Sequence, residues 1–288
     1  EDLGSGGPPP QGCGAQACSP ARAGVHQLSF SPDMWGITID QLGEILLDRR
    51  YEARMTTRDV VEKIIKPDTA STGTGYALLK NSARPLRARV MVSHAWDDDF
   101  GEFVDALGSS GERGPFWICA AAMYQAEDIW ELTLEKQMGV QAGGPLVTVL
   151  GRTAAMVCVP SSTGNMYTRL WCLFEIFTAF QLGHEVRVAT RHRRFQYEVL
   201  DDLFIRLCLE SVDSRRARCG VAGAPNADER AIREAIEASP GGYGAVDRAV
   251  EEVRLATLLR GRERLPGAGW KDTEIGRLYG DAIRAVSL

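Results

Sequence analysis

Apolar positions recur at helical spacing in the first third of this chain. Ile39, Leu42 and Leu46 lie on one face of a predicted helix. A capping-box pattern precedes a second apolar stripe, which we expect to stop at Pro67 because proline interrupts helices. We therefore predict a helical flank over residues 28–85.

From residue 86 the pattern changes to short apolar runs separated by amphipathic stripes. The predicted strands are Val90–Val92, Phe116–Ala120, Ala154–Pro160 and Glu185–Ala189, and the predicted helices are Phe100–Leu107, Ile129–Met138 and Thr168–Leu182. Strands that alternate with helices favour a parallel sheet with right-handed connections. The sequence therefore predicts an α/β domain over residues 86–192, with helices on both faces of a parallel sheet.

The two ends of the chain have different patterns. Residues 193–288 carry amphipathic stripes such as Val246, Val250 and Val253, which predict a helical appendage. Residues 1–27 are rich in Gly, Pro and Ala and have almost no large apolar side chains. Such a segment cannot bury enough surface to offset the entropy of ordering, so we predict a disordered tail.

Charge and cysteine content restrict the function classes. The 288 residues include 33 basic and 38 acidic side chains, for a formal net charge of -5, so nothing favours nucleic acid or an anionic membrane as partner. Apolar runs fall short of the roughly 20 residues that span a bilayer. The odd number of cysteines, seven, favours free thiols and a cytoplasmic location. No metal site is expected.

A nearly apolar helix carries the most informative polar residue. Between Thr168 and Gly183 the only charged side chains are Arg169 and Glu175. Trp171 lies one turn before Glu175, so the indole and the carboxylate project from one face. A carboxylate beside an aromatic ring suits the stabilisation of an oxocarbenium-like sugar next to a flat leaving group.

A structural role for Glu175 is the competing interpretation. A lone helical glutamate is usually solvated or ion-paired, because charged side chains are mostly exposed. The apolar neighbours of Glu175 favour a buried partner or a cavity instead, and Arg169 is not its helical neighbour.

Ser93 and His94 at the end of the first strand also invite a hydrolase hypothesis. Neighbours on a strand face opposite sides, however, and the chain has no Gly-x-Ser-x-Gly elbow. The aspartates at positions 97–99 precede a predicted helix and are expected to complement its dipole rather than bind a metal.

Two motifs carry a resemblance to a known family. The segment from Val90 to Trp96 (VMVSHAW) resembles the first-strand motif of TIR (Toll/interleukin-1 receptor) domains. The segment from Trp171 to Glu175 (WCLFE) is similar to the Trp-Cys-Leu-Asp-Glu signature of plant TIR modules and to NAD-cleaving TIR enzymes. Residues 116–125 lack the acidic pattern of plant members, so the chain resembles a divergent, protist-type relative.

The resemblance implies a flavodoxin-like fold and a chemistry. Glu175 would be the catalytic glutamate of NAD hydrolysis, which releases nicotinamide and leaves ADP-ribose or a cyclic form. NAD would be a substrate, with no cofactor required. The expected substrate-binding residues are Trp171, which would contact the nucleotide or nicotinamide, Ser93, which would border the ribose, and His94, Trp96 and Arg169.

Two alternatives stay open at this point. In the first, the module is a signalling adaptor that acts by self-association or by homotypic association with other TIR-like domains, and Glu175 is structural. In the second, it is a ligand sensor that binds a nucleotide without turnover. Retained self-association in Glu175→Ala would favour the adaptor, whereas saturable binding without product would favour the sensor.

Overall fold

The computed structural model describes residues 27–132, 137, 144–189, 202–220, 227–263 and 273–287. The predicted disordered tail lies outside these residues except for Gln27, which is buried. The Gln27 side chain donates a hydrogen bond to the carbonyl of Ala122 and accepts one from the amide of Gly75, both at 2.8 Å. The described chain is therefore tied to the domain from its first residue.

A four-stranded parallel sheet forms the centre of the molecule. Its strands are β1 (Val90–Ser93), β2 (Phe116–Ile118), β3 (Ala155–Cys158) and β4 (Val186–Val188). The spatial order is β2-β1-β3-β4, and each neighbouring pair is parallel. The predicted α/β flavodoxin-like fold is thus confirmed, although β2 ends two residues before the predicted boundary because a helical turn follows it.

Helices cover the sheet, and further helices precede and follow the α/β domain along the chain. Those of the described residues are α1 (Ile39–Leu46), α2 (Thr57–Val60), α3 (Lys66–Thr69), α4 (Tyr76–Lys80), α5 (Phe100–Ser109), α6 (Cys119–Ala122), α7 (Pro145–Leu150), α8 (Leu170–Gln181), α9 (Asp202–Leu207), α10 (Ala227–Ala238), α11 (Gly242–Glu263) and α12 (Glu274–Val286). None of these helices combines the length and the apolar character needed to cross a membrane.

The side-chain alternation of β1 separates two hydrophobic cores. Met91 belongs to a core with residues of α8 and α11, whereas Val90 and Val92 belong to a core with residues of α1, α2 and α5. The second core also contains Ile37, whose backbone pairs with Phe116 at the edge of β2. Both flanks therefore pack directly on the sheet: the N-terminal flank contributes to both cores, and the helices after residue 193 contribute to the core with Met91.

The prediction that the second helix stops at Pro67 is wrong. The helical segment continues through Pro67 to Thr69, after a π turn over Val61–Ile65. In this turn the amide of Lys66 bonds the carbonyl of Val61. We attribute the tolerance of Pro67 to this wider turn, which relieves the clash between a proline ring and the carbonyl four residues earlier.

The predicted helix over Ile129–Met138 does not begin where expected. Ile129 and Trp130 lie in a turn, in which the Trp130 amide bonds the Asp128 carboxylate at 3.1 Å. Residues 133–136 and 138 lie outside the described part of the chain, so the remainder stays a prediction. The amphipathic helices predicted after residue 193 are present as α9, α10, α11 and α12 where the chain is described.

Candidate functional site

Ser93 and Glu175 meet beneath the carboxyl end of the sheet. Ser93 ends β1 on the same face as Met91, which is the face that α8 covers. Its hydroxyl donates a hydrogen bond to Oε2 of Glu175 at 2.6 Å. Glu175 is 4% exposed, and among the described residues no cation forms an ion pair with it. The carboxyl group is therefore buried with a single neutral partner.

This environment sets the ionisation of Glu175. Burial raises its pKa to about 7, and the hydrogen bond from Ser93 opposes that rise because it favours the charged form. Both protonation states are consequently populated near neutral pH. A carboxyl group of this kind can act as an acid, a base or a stabilising anion.

A cavity of about 190 Å³ opens against Glu175. We call it the Glu175 cavity; its wall includes Arg58, Trp96, Cys119, Arg169, Trp171 and Glu175. Trp171 is half-buried, as expected for an indole that borders both the core and an opening. Ligand pockets commonly measure roughly 300–1,000 Å³, so this cavity is suited to one ring of a larger ligand rather than to a whole dinucleotide.

Most of the residues predicted for the site reach this cavity. Trp171, Trp96, Arg169, His94 and Glu175 all line it. Ser93 is not among the described residues of the wall; it contacts Glu175 from behind and is 1% exposed. Ser93 would therefore affect a bound ligand only indirectly, by its hydrogen bond to the carboxyl group of Glu175.

His94 faces away from Ser93, as the strand alternation predicts. Its ring stacks on Phe103 with centroids 4.2 Å apart, and neither ring nitrogen has a partner among the described residues. Burial lowers the pKa of His94 to about 3, so the imidazole is neutral. Ser93 bonds Glu175 and not His94, so these two neighbours do not form a nucleophile and base pair.

Sequence reasoning missed the thiols of the site. Cys119, Cys172 and Cys219 line the Glu175 cavity, and the Trp96 indole N–H lies 3.2 Å from the Cys119 sulfur. Burial raises the pKa of Cys119 to about 12, with a further contribution from the charge of Glu175. Because these thiols stay neutral, they give the cavity a soft, weakly polar wall. Of these three cysteines, only Cys172 lies in a motif, WCLFE, that the sequence connected with the site.

Arg169 and Arg58 share one carboxylate at the edge of the cavity. Arg169 Nη1 lies 2.9 Å from Oδ2 of Asp97, and Arg58 Nη2 lies 3.0 Å from Oδ1 of the same residue. Arg169 Nη2 also donates to the carbonyl of Cys219 at 2.6 Å. Arg169 therefore has a partner other than Glu175. Arg58 comes from the predicted helical flank, and no sequence pattern connects it with the site.

The segment around Arg218 closes another side of the cavity. The Leu170 amide bonds the Arg218 carbonyl at 3.0 Å, and the Arg218 amide bonds the Thr168 carbonyl at 3.1 Å. These bonds hold the backbone of Cys219 against the start of α8. The appendage after residue 193 thus supplies part of the wall.

The aspartates at 97–99 have separate roles. Asp99 caps α5 by accepting the Glu102 amide at 2.9 Å, whereas Asp97 pairs with arginines. Asp98 is buried, and burial raises its pKa to about 6. Within the described residues, no group of His, Cys, Asp or Glu side chains is arranged to hold a metal ion.

Comparisons with models of protein families, with curated proteins and with solved structures give no match to this chain. The chemistry of the Glu175 cavity must therefore be argued from its own residues.

Proposed function

We propose that this chain is a TIR-like NAD hydrolase in which Glu175 is the catalytic carboxylate. The bond that breaks joins C1′ of the ribose to the nicotinamide nitrogen, whose bonding electrons leave with nicotinamide. Water then adds to C1′ and loses a proton to solvent, which gives ADP-ribose. The observation that carries the proposal is a buried carboxyl group, with one neutral hydrogen-bond partner, in the wall of a cavity that also contains an indole.

The leaving group explains why one carboxylate suffices. Nicotinamide departs from NAD as a neutral ring, so no acid is needed to protonate it. Positive charge develops on the ribose in an oxocarbenium-like transition state, and a nearby anion in a poorly hydrated site stabilises it. Trp171 offers a flat surface against which the departing ring can stack.

The active form of Glu175 in this mechanism is the ionised one. Burial works against ionisation, whereas the Ser93 hydroxyl supports it. A carboxylate that pays a desolvation cost in the free enzyme gains the most when positive charge develops beside it. Ser93 is thus a positioning residue that keeps the carboxylate ionised and oriented.

Nicotinamide release from NAD by the purified chain at pH 8 tests the proposal. We expect release by the wild-type chain and at least a hundredfold loss in Glu175→Gln, since one electrostatic group of an active site commonly contributes on this order. Glu52→Gln, which changes an exposed carboxylate of the N-terminal flank, is the matched control and should keep wild-type activity.

Equal release by Glu175→Gln and wild type would overturn the proposal, as would intact NAD after incubation at high protein concentration. In the second case, self-association that persists in Glu175→Gln would favour the adaptor. Saturable NAD binding without nicotinamide release would favour the sensor.

A further inference from the structure

Both flanks of the α/β domain contribute to the wall of the Glu175 cavity. Arg58 belongs to α2 of the N-terminal flank, and Cys219 and Gly220 precede α10 in the C-terminal part. The cavity itself has room for about one ring of a larger ligand. A larger ligand would extend out of the cavity, and the partly exposed side chain of Arg58 is a wall residue that it could contact.

The guanidinium groups of Arg58 and Arg169 are not neutralised by their shared partner. Asp97 supplies one negative charge to two positive charges, which leaves a net positive charge. The carboxylate of Asp228 and the carboxyl group of Glu175 also line the cavity. Arg58 and Arg169 are the basic side chains among the described residues of the wall.

Arg58 has donors left for a ligand. Its Nε and Nη2 both bond Oδ1 of Asp97, at 3.1 and 3.0 Å, and Nη1 has no hydrogen-bond partner within the described residues. The guanidinium lies 6.0 Å from the centre of the Trp96 ring. Its side chain is 42% exposed, whereas that of Arg169 is 16% exposed and is held by the Cys219 carbonyl.

Stability does not account for this arrangement. An ion pair between side chains as exposed as Arg58 and Asp97 contributes little to the free energy of unfolding, because water and salt screen it. The pair occupies Nε and Nη2 of Arg58 and leaves Nη1 available beside the cavity. Arginine suits phosphate recognition because its planar group donates two parallel hydrogen bonds to one anion.

We infer that Arg58, supported by Arg169, binds the diphosphate of a nucleotide whose ribosyl ring enters the Glu175 cavity. Arg58 would be the specificity-determining residue that selects dinucleotides and nucleoside diphosphates over nucleosides. This inference rests on the proposed function for the identity of the nucleotide. It assigns to the helical flank a role in substrate selection that the α/β domain does not supply alone.

Calorimetric titration with ADP-ribose tests the inference without requiring turnover. We expect Arg58→Gln to weaken ADP-ribose binding about tenfold or more, because it removes a hydrogen bond to a charged group. Nicotinamide riboside, which lacks the diphosphate, should bind both proteins equally. Arg49→Gln removes an exposed positive charge from the same flank and should leave both affinities unchanged.

Asp97→Asn separates recognition from a structural role. If Arg58 served only as the partner of Asp97, Asp97→Asn and Arg58→Gln would weaken ADP-ribose binding alike, and the inference would fail. If Arg58 binds the diphosphate, Asp97→Asn keeps or strengthens binding, because both guanidinium groups lose their competing carboxylate. Binding should also weaken with added salt, since the contact is partly exposed.

The two proposals fail in different ways. Wild-type affinity for ADP-ribose in Arg58→Gln, or no ADP-ribose binding by the wild-type chain, overturns the inference about Arg58 even if NAD is cleaved. Specific ADP-ribose binding that depends on Arg58, without nicotinamide release from NAD, overturns the hydrolase alone.

Discussion

At the residue scale, the site depends on how neighbouring positions of β1 divide between two faces. Ser93 turns toward α8 and meets Glu175, whereas His94 turns toward α5 and stacks on Phe103. This division could be predicted from strand alternation, and the shared face of Trp171 and Glu175 from helical spacing. The hydrogen bond between Ser93 and Glu175 could not be predicted, because it depends on the position of α8 relative to the sheet.

Loss of the Ser93 hydroxyl should change the pH dependence of catalysis. In Ser93→Ala, burial of Glu175 is no longer opposed by a hydrogen bond, so the pKa of Glu175 rises and less carboxylate is present at neutral pH. We expect the rise of kcat/KM for NAD with pH to move to higher pH. Ser93→Thr, which keeps a hydroxyl, should stay near wild type. An unchanged midpoint in Ser93→Ala would contradict the role given to Ser93.

The neutral His94 ring should make the fold sensitive to acid. The pKa of His94 is lowered to about 3 from 6.5, so below pH 6.5 the unfolded chain binds a proton that the folded chain does not. The contribution of His94 to stability is therefore lost as pH falls, by about 3 kcal/mol between pH 7 and pH 4. Burial of Glu175 acts in the opposite direction, since its raised pKa stabilises the fold as pH falls.

His94→Phe should remove the acid-sensitive contribution while keeping a ring against Phe103. Between pH 7 and pH 4, we expect the change in its free energy of unfolding in urea to be more favourable than that of the wild type by about 3 kcal/mol. Comparing each protein with itself at two pH values cancels any packing cost. His184→Phe, at a half-buried position, is the matched control. Parallel losses in His94→Phe and wild type would refute the assignment.

At the element scale, the strands were predictable because their apolar runs end in polar or turn residues. The boundaries of the helices were less predictable than those of the strands. Pro67 is accommodated by a π turn, which depends on packing around Val61–Ile65 rather than on a local signal. The cavity contacts of Arg58, Cys119 and Cys219 were also beyond prediction, because they join segments that are distant in sequence.

Close packing between α4 and α6 gives a test at this scale. A Cβ atom on Gly75 would lie 2.3 Å from the carbonyl oxygen of Ala122, next to Met123 in the cavity wall. We expect Gly75→Ala to lower the free energy of unfolding by about 1–3 kcal/mol, because backbone must move to make room.

Gly43→Ala is the control for that substitution. Gly43 lies within α1, and a Cβ there meets nothing within 4 Å. It should raise the free energy of unfolding by up to about 1 kcal/mol, since alanine favours helix over glycine. Equal effects of the two substitutions in urea unfolding would contradict the close contact of α4 with α6.

At the scale of the whole molecule, the flanks are structural partners of the sheet. The core on one face unites Ile37, Leu42 and Ile45 with Val92 and Phe103, so the first flank shares its core with the α/β domain. The helices after residue 193 cover the other face. The fold class followed from the alternation of elements, but the enclosure of the Glu175 cavity by both flanks required the three-dimensional arrangement.

In the proposed reaction, the poorly hydrated carboxyl group of Glu175 ionises near neutral pH and promotes the cleavage of NAD. The most direct measurement is nicotinamide release from NAD by the wild-type chain and by Glu175→Gln across pH 5 to 9. We predict that wild-type kcat/KM rises with pH through a midpoint of about 7, following the pKa of Glu175, and that Glu175→Gln releases almost no nicotinamide at any pH. A flat wild-type profile, or a Glu175→Gln profile that matches it, would contradict the proposed reaction.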